Sequence, residues 1–239
     1  MKILSAEIEY VELINNGKAG KILHDISFNL QKGSIYTVLG KNGSGKSTLI
    51  NSLTNLLDPS YFIIKGSVEF KGMNLLELDE PEMSKIRRED IRYVFQDSIN
   101  GFDHLKKFEY YFKRLDVPDD EIGGMLDYFL LPEKSKLMQL YPYEVSGGMA
   151  QRISICLAFL SQPVLLILDE PNSAVDINIS NLLYRKSREY VKENDSTILL
   201  ITQDLDFAGR ISDYMAKMSG GTLSEFYTVS EYKKNFAEK

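Results

Sequence analysis

Nine consecutive residues, Gly40-Lys41-Asn42-Gly43-Ser44-Gly45-Lys46-Ser47-Thr48, place three glycines, two amines and three hydroxyls in a stretch that fits the pattern G-x-x-x-x-G-K-[ST]. Glycines at 40, 43 and 45 let the backbone take positive φ and approach a ligand closely. Successive N–H groups can then surround phosphate oxygens at the positive end of a helix that starts near Gly45. Lys46 adds a point charge for β- and γ-phosphates, and the Ser47 hydroxyl is a hard oxygen donor for Mg²⁺. The chemistry is binding of a nucleotide's phosphates; the alternative is a glycine turn between strand and helix.

A second acidic constellation ends an apolar run, Leu165-Leu166-Ile167-Leu168-Asp169-Glu170-Pro171. A buried strand carries acids at its end where water, metal or phosphate satisfies them. Asp169 would share Mg²⁺ with Ser47, and Glu170 would sit beside the γ-phosphate to orient or deprotonate water. The other reading is an acidic turn that caps the next helix through Asp169 or Asn172.

These residues need elements to hold them. Ile3 to Tyr10, Ile26 to Leu30 and Ser34 to Leu39 read as strands, with turn signals at Asn15-Asn16-Gly17 and Lys32-Gly33. Apolar spacing predicts a helix over Ser47 to Leu57, stopped by Asp58-Pro59, and short strands at Ser67–Phe70 and Ile91–Phe95. Phe102, Leu105, Phe108, Phe112 and Leu115 predict one helical face, and Ile122 to Leu130 another. Val164 to Leu168 and Thr197 to Ile201 are continuous apolar runs, as in buried parallel strands. Met215–Met218, Gly220-Gly221 and Thr222–Phe226 read as a closing hairpin. The expected fold class is α/β: a nucleotide-binding core from 1–96 and 161–239, with an N-terminal antiparallel β subdomain and an inserted helical subdomain over 97–160, in one domain of 239 residues.

Composition narrows the function. Hydrophobic residues are 44% of the chain, enough to bury a core, so dominant disorder is excluded. Lys plus Arg number 28 against 34 Asp plus Glu, a net charge of −6 that argues against nucleic acid as a partner through a general positive field. The mixed charges of Lys85 to Arg92 read as a solvated face. One cysteine, Cys156, rules out an intrachain disulfide and is expected in the core. His24 and His104 show no metal-ligand spacing. The N-terminus has two glutamates within nine residues and no apolar stretch, so no signal peptide is expected, and no apolar run approaches the roughly 20 residues of a membrane span.

With Tyr93-Val94-Phe95-Gln96-Asp97, Val145-Ser146-Gly147-Gly148-Met149-Ala150-Gln151-Arg152 and Ser173-Ala174-Val175-Asp176, the chain resembles the ATP-binding subunit of an ABC transporter. The five segments fall in that family's order and cover most of the chain. The resemblance implies ATP and Mg²⁺ as ligands, Gln96 on the metal or attacking water, and Asp176 in the D-loop. It also implies a head-to-tail pair with a second ABC ATPase subunit. There Ser146, Gly147 and Gly148, an anion site at a helix start, complete the partner's nucleotide site. Integral membrane permease subunits would hold the chain peripherally at the cytoplasmic face of the cell membrane.

Within the family, Met149 and Tyr141-Pro142-Tyr143-Glu144 resemble the branch of oligopeptide, dipeptide and nickel or metal–opine importers, which often pair two different ATPases, so a heterodimer is expected. The chain ends at Lys239, short of the tail many members of that branch carry. The family usually has His where Gln203 stands, against the γ-phosphate. Gln donates a hydrogen bond but carries no positive charge, so slower hydrolysis at this chain's own site is expected. Tyr10 either stacks on adenine or packs in the core. The implied function is an ATP hydrolase that energises import, with Lys46, Glu170 and Gln203 in catalysis. The other readings are a non-transport ABC ATPase and a regulatory nucleotide-binding subunit.

Overall fold

A computed structural model describes residues 1–15, 18–173 and 176–236. Two sheets form the frame. The first is antiparallel, with β1 (Lys2–Asn15) central between β2 (Lys18–Gln31) and β4 (Phe62–Phe70), and with β5 (Met73–Asn74) beside β4. β1 and β4 shift register between Ile8 and Tyr10, opposite Gly66. Gly66 has φ +137°, and a Cβ there would lie 2.1 Å from the Glu7 carbonyl oxygen, so only glycine fits.

The second sheet is built on a run of parallel neighbours. β3 (Ile35–Leu39) pairs with β8 (Thr197–Thr202), β8 with β7 (Leu165–Asp169), and β7 with β6 (Ile91–Val94). β9 (Tyr214–Ser219) runs parallel on the other edge of β3, and β10 (Thr222–Leu223) and β11 (Tyr227–Thr228) pair antiparallel to β9. Every residue of β3, β7 and β8 is buried, because both faces are covered. Leu165, Ile167, Leu199 and Ile201 face a cluster shared with the antiparallel sheet, while Leu166, Leu168, Ile198 and Leu200 face the helices.

Nine helices accompany these strands among the described residues. α1 (Lys46–Leu53) and α2 (Glu80–Glu89) lie on the side of the antiparallel sheet, where Leu49, Leu53, Met83 and Ile86 join its core. α3 (Phe108–Phe112), α4 (Asp119–Tyr128), α5 (Lys134–Leu137) and α6 (Gly147–Leu160) fill 97–160, packing Phe108, Phe112, Phe129 and Phe159 into the cluster on the other face. The last three are α7 (Ile177–Asn194), α8 (Leu205–Ile211) and α9 (Val229–Phe236). No helix among the described residues is long and apolar enough to cross a membrane.

Several sequence expectations are corrected, among them the helical face over Ile122 to Leu130: α4 ends at Tyr128, and Leu130 turns to φ +53° and is exposed. The helix expected to Leu57 stops at Leu53, because Asn55 turns to φ +49°. The face expected over Phe102 to Leu115 is helical only from Phe108 to Phe112. Phe102 reaches the same core from a turn, edge-on to Phe108 at 5.2 Å. In the closing hairpin the return strand is only Thr222–Leu223. The strand at Ser67–Phe70 begins earlier, at Phe62, and Asn16 and Gly17 of the expected turn lie outside the described residues. Cys156 is fully buried, as expected.

Candidate functional site

Parallel pairing decides where the chemistry collects. β3, β8, β7 and β6 end side by side, with Leu39 opposite Thr202, Asp169 opposite Ile201 and Val94 opposite Leu168. The segments that leave these strands therefore meet at one edge: Gly40 to Thr48 after β3, Gln203 after β8, Glu170 after β7, and Gln96 after β6. Ligands of open α/β sheets bind at these carboxyl ends.

The loop after β3 passes into α1 at Gly45, whose φ of +105° favours glycine and where an added Cβ would lie 2.7 Å from the Leu23 side chain. No side chain caps α1, so its first N–H groups remain for an anion. The loop is braced from outside, Ser44 accepting from the Gly221 N–H at 3.2 Å and Gly221 from the His24 N–H at 3.0 Å. Thr48, on α1, accepts from the Ser52 hydroxyl through its carbonyl at 2.7 Å. Asn42, Gly43 and Ser47 are exposed, while Lys46 is buried. Its ammonium donates to the carbonyls of Gly40 at 2.7 Å and Lys41 at 3.2 Å, and lies 3.8 Å from Glu170 Oε1.

Glu170 is buried with φ +45°, backbone strain of the kind that gathers at functional sites. Its two oxygens differ. Oε2 accepts from the Thr202 hydroxyl at 3.1 Å and the Gln203 N–H at 3.4 Å; Oε1 has no hydrogen-bond partner among the described residues. Thr202 thus fixes the carboxylate and leaves Oε1 toward Lys46. Asp169 accepts from the Tyr93 hydroxyl at 3.0 Å. Burial pushes its carboxyl above the usual carboxylate range and the Glu170 charge adds to this, against the Tyr93 hydrogen bond and Lys46. Burial beside Asp169 raises the Tyr93 phenol in turn, so it stays a donor.

Ser47, Gln96 and Asp169 line one cavity of about 370 Å³, together with Tyr93, Asp97 and Asn100. Gln203, exposed, lines a second of about 590 Å³ with Gly40, Asn42, Gly43 and Ser44. Ser44 Oγ and Glu170 Oε1, buried at this edge without a partner among the described residues, are atoms a ligand can satisfy. Among the described residues no group of three or more His, Cys, Asp or Glu gathers. A metal at this edge would rest on the oxygens of Ser47, Asp169 and Gln96 with phosphate, a hard donor set that suits Mg²⁺.

Other expected residues lie elsewhere. Ser146, Gly147 and Gly148 line neither cavity. They begin α6, where the Ser146 hydroxyl accepts from the Met149 N–H at 3.3 Å. Asp176 caps α7 by accepting from the N–H groups of Asn178 and Ile179, while Ala174 and Val175 lie outside the described residues. Tyr10 is half-buried on β1 with the Lys21 ammonium 5.0 Å over its ring. Sequence reading missed Thr202, Tyr93 and Gln151 as site residues. The signal for the first was a hydroxyl ending an apolar strand just before Gln203.

The ABC transporter family model matches residues 23–173. The dipeptide transport ATP-binding protein DppD of Bacillus subtilis is 31% identical over 95% of this chain and 71% of its own. The oligopeptide transport ATP-binding proteins OppD of Haemophilus influenzae and Escherichia coli are 34% and 35% identical, over 87% and 85% of this chain and 67% and 63% of theirs. In structure, a dimeric ATP-binding cassette in a post-hydrolysis state bound to ADP and Pi aligns with TM-score 0.81 at 21% identity, over 95% of this chain and 99% of that one. The cbiO1 subunit from Clostridium perfringens aligns with TM-score 0.75 at 25% identity, over 99% and 91%. A phosphate loop, an acid pair and a signature helix on this frame, matched by the family model over more than half its length, make the chain a member of the ABC transporter family, an ABC-type ATPase.

Proposed function

We propose that the chain is the ATP-hydrolysing subunit of a peptide importer, held at the cytoplasmic face of a membrane by permease subunits. The observation that carries the hydrolytic part is the pairing of Lys46 with a strained, buried Glu170 whose Oε1 has no hydrogen-bond partner among the described residues. Two relatives named for dipeptides and oligopeptides favour a peptide over nickel or a metal chelate.

In this reading the loop N–H groups and Lys46 hold the β- and γ-phosphates, and Glu170 Oε1 takes a proton from the attacking water while Thr202 holds Oε2. Catalysis is positioning plus charge stabilisation. Ser47, Asp169 and Gln96 would hold Mg²⁺, which when bound supplies charge neutralisation on phosphate oxygens. Ser146, Gly147 and Gly148 complete the site of a second ATPase subunit, and Asp176 belongs to the same contact. A heterodimer suits a chain whose own site carries Gln203. The helical stretch 97–160 contacts the permease.

Reconstituting the complex in vesicles with ATP inside or outside tests the transport reading. Uptake of labelled di- or oligopeptide, dependent on ATP at the face bearing this chain, is expected; uptake of nickel instead, or none, contradicts it. Gln203→His is expected to raise turnover about 5- to 15-fold, the gain of about 1–1.5 kcal/mol when a charged donor replaces a neutral one. Equal rates for the two proteins in steady-state phosphate release would remove that role.

A further inference from the structure

Gln151 is a buried amide that the proposed chemistry does not use. It lies on α6, five residues after the helix N-cap Ser146, and is 1% exposed. Its Nε2 donates to the main-chain carbonyl of Glu170 at 3.2 Å, while its Oε1 is buried without a partner among the described residues. The amide must turn its NH₂ to Glu170, because a carbonyl only accepts. An orphaned buried acceptor costs stability, so a methionine would pack there at less cost, and what only glutamine provides is that donor.

The carbonyl it grips is not an ordinary one. Glu170 has φ +45°, and its carbonyl also accepts from the Ser173 hydroxyl at 2.8 Å and the Ser173 N–H at 3.1 Å. Those two donors come from the turn just after Glu170. Gln151 alone among the three comes from α6, whose first turn is Ser146-Gly147-Gly148. A shift of that helix start therefore reaches the backbone that aims the Glu170 carboxylate.

We propose that Gln151 is a positioning residue that ties the aim of Glu170 to the state of the signature helix. The proposal rests on the roles given to Glu170 and to Ser146-Gly147-Gly148 under the proposed function. Under them, α6 engages the nucleotide held by the partner subunit, and Gln151 passes that engagement to the carboxylate of this chain's own site. The two sites then fire cooperatively through one side chain inside one chain, a property of coupled binding energies rather than of direct contact.

The test uses the assembled transporter. Gln151→Met keeps the length and removes the donor. It is expected to lower kcat roughly 10- to 100-fold, the cost of misplacing a reacting group by about 1 Å. KM for ATP is expected to stay within about twofold, with the Hill coefficient falling toward unity. Gln151→Asn, too short to reach, carries the same expectation should the Met variant fail to assemble. Ser173→Ala removes a donor to the same carbonyl from outside α6, and is expected to lower kcat with the Hill coefficient unchanged. Wild-type kcat and cooperativity in the Gln151 variants, an equal loss of cooperativity in Ser173→Ala, or a wild-type enzyme without cooperativity each overturns the proposal. Glu170→Gln measured alongside separates the failures. Hydrolysis retained there removes the role of Glu170 itself; wild-type behaviour of Gln151→Met beside an inactive Glu170→Gln removes only the link.

Discussion

Replacing Glu170 by Gln is expected to lower ATP turnover at this chain's own site by about 10²- to 10⁴-fold, the usual worth of a general base. The substitution is nearly isosteric, and the remaining contacts survive it. The amide oxygen still accepts from the Thr202 hydroxyl, and Lys46 still donates to the Gly40 and Lys41 carbonyls. What is lost is Oε1 as a proton acceptor, the oxygen without a hydrogen-bond partner among the described residues. Affinity for Mg-ATP is therefore expected to stay within a few fold of wild type, so kcat falls and binding does not. Phosphate release and calorimetric titration measure the two quantities. Undiminished turnover would move the base elsewhere, and a parallel loss of binding would make Glu170 a ligand-holding group.

Lys46→Ala is expected to act on both binding and stability. Charge-assisted hydrogen bonds to phosphate are worth about 1.5–3 kcal/mol each, so ATP affinity should drop at least about 10- to 100-fold. The second effect comes from burial. Lys46 and Glu170 side chains are 8% and 6% exposed and 3.8 Å apart. Removing one member of such a pair leaves an uncompensated buried charge, at a cost of about 3–5 kcal/mol. In a chain of 239 residues that is a fall in Tm of roughly 6–20 °C, at about 2–4 °C per kcal/mol. The double variant Lys46→Ala with Glu170→Gln should recover much of this, because the stranded charge is gone while ATP remains weakly bound. Additive losses in thermal melts would show that the two side chains are not coupled.

The contrast between legible and hidden parts of the molecule has physical causes. β7 and β8 were readable because strands buried on both faces are written as unbroken apolar runs, and the phosphate loop because close approach restricts it to a few residue types. The start of α6 is legible in a hydroxyl followed by two glycines, Ser146-Gly147-Gly148. α2 was missed although Asp79 and Glu82 form a reciprocal capping box with Pro81 in its first turn, because its mean hydropathy is low and only Met83 and Ile86 are buried. The helix at Phe102 to Leu115 was overextended because aromatic residues in turns can reach the same core as those on a helix. Convergence of Gln96, Asp169, Glu170 and Gln203 with the loop depends on the order β3-β8-β7-β6, which no single segment encodes. Thr202 and Gln151 were invisible for a related reason: each acts on Glu170 across 32 and 19 residues of sequence, through contacts that exist only after folding.

Whether this ATPase is the engine of a membrane transporter is tested most directly by mass analysis of the proteins that co-purify with the tagged chain from gently solubilised membranes of its own host. One or two polytopic membrane proteins together with a second ABC ATPase are the predicted result. Recovery of soluble partners alone, with no polytopic protein from intact membranes, would contradict it.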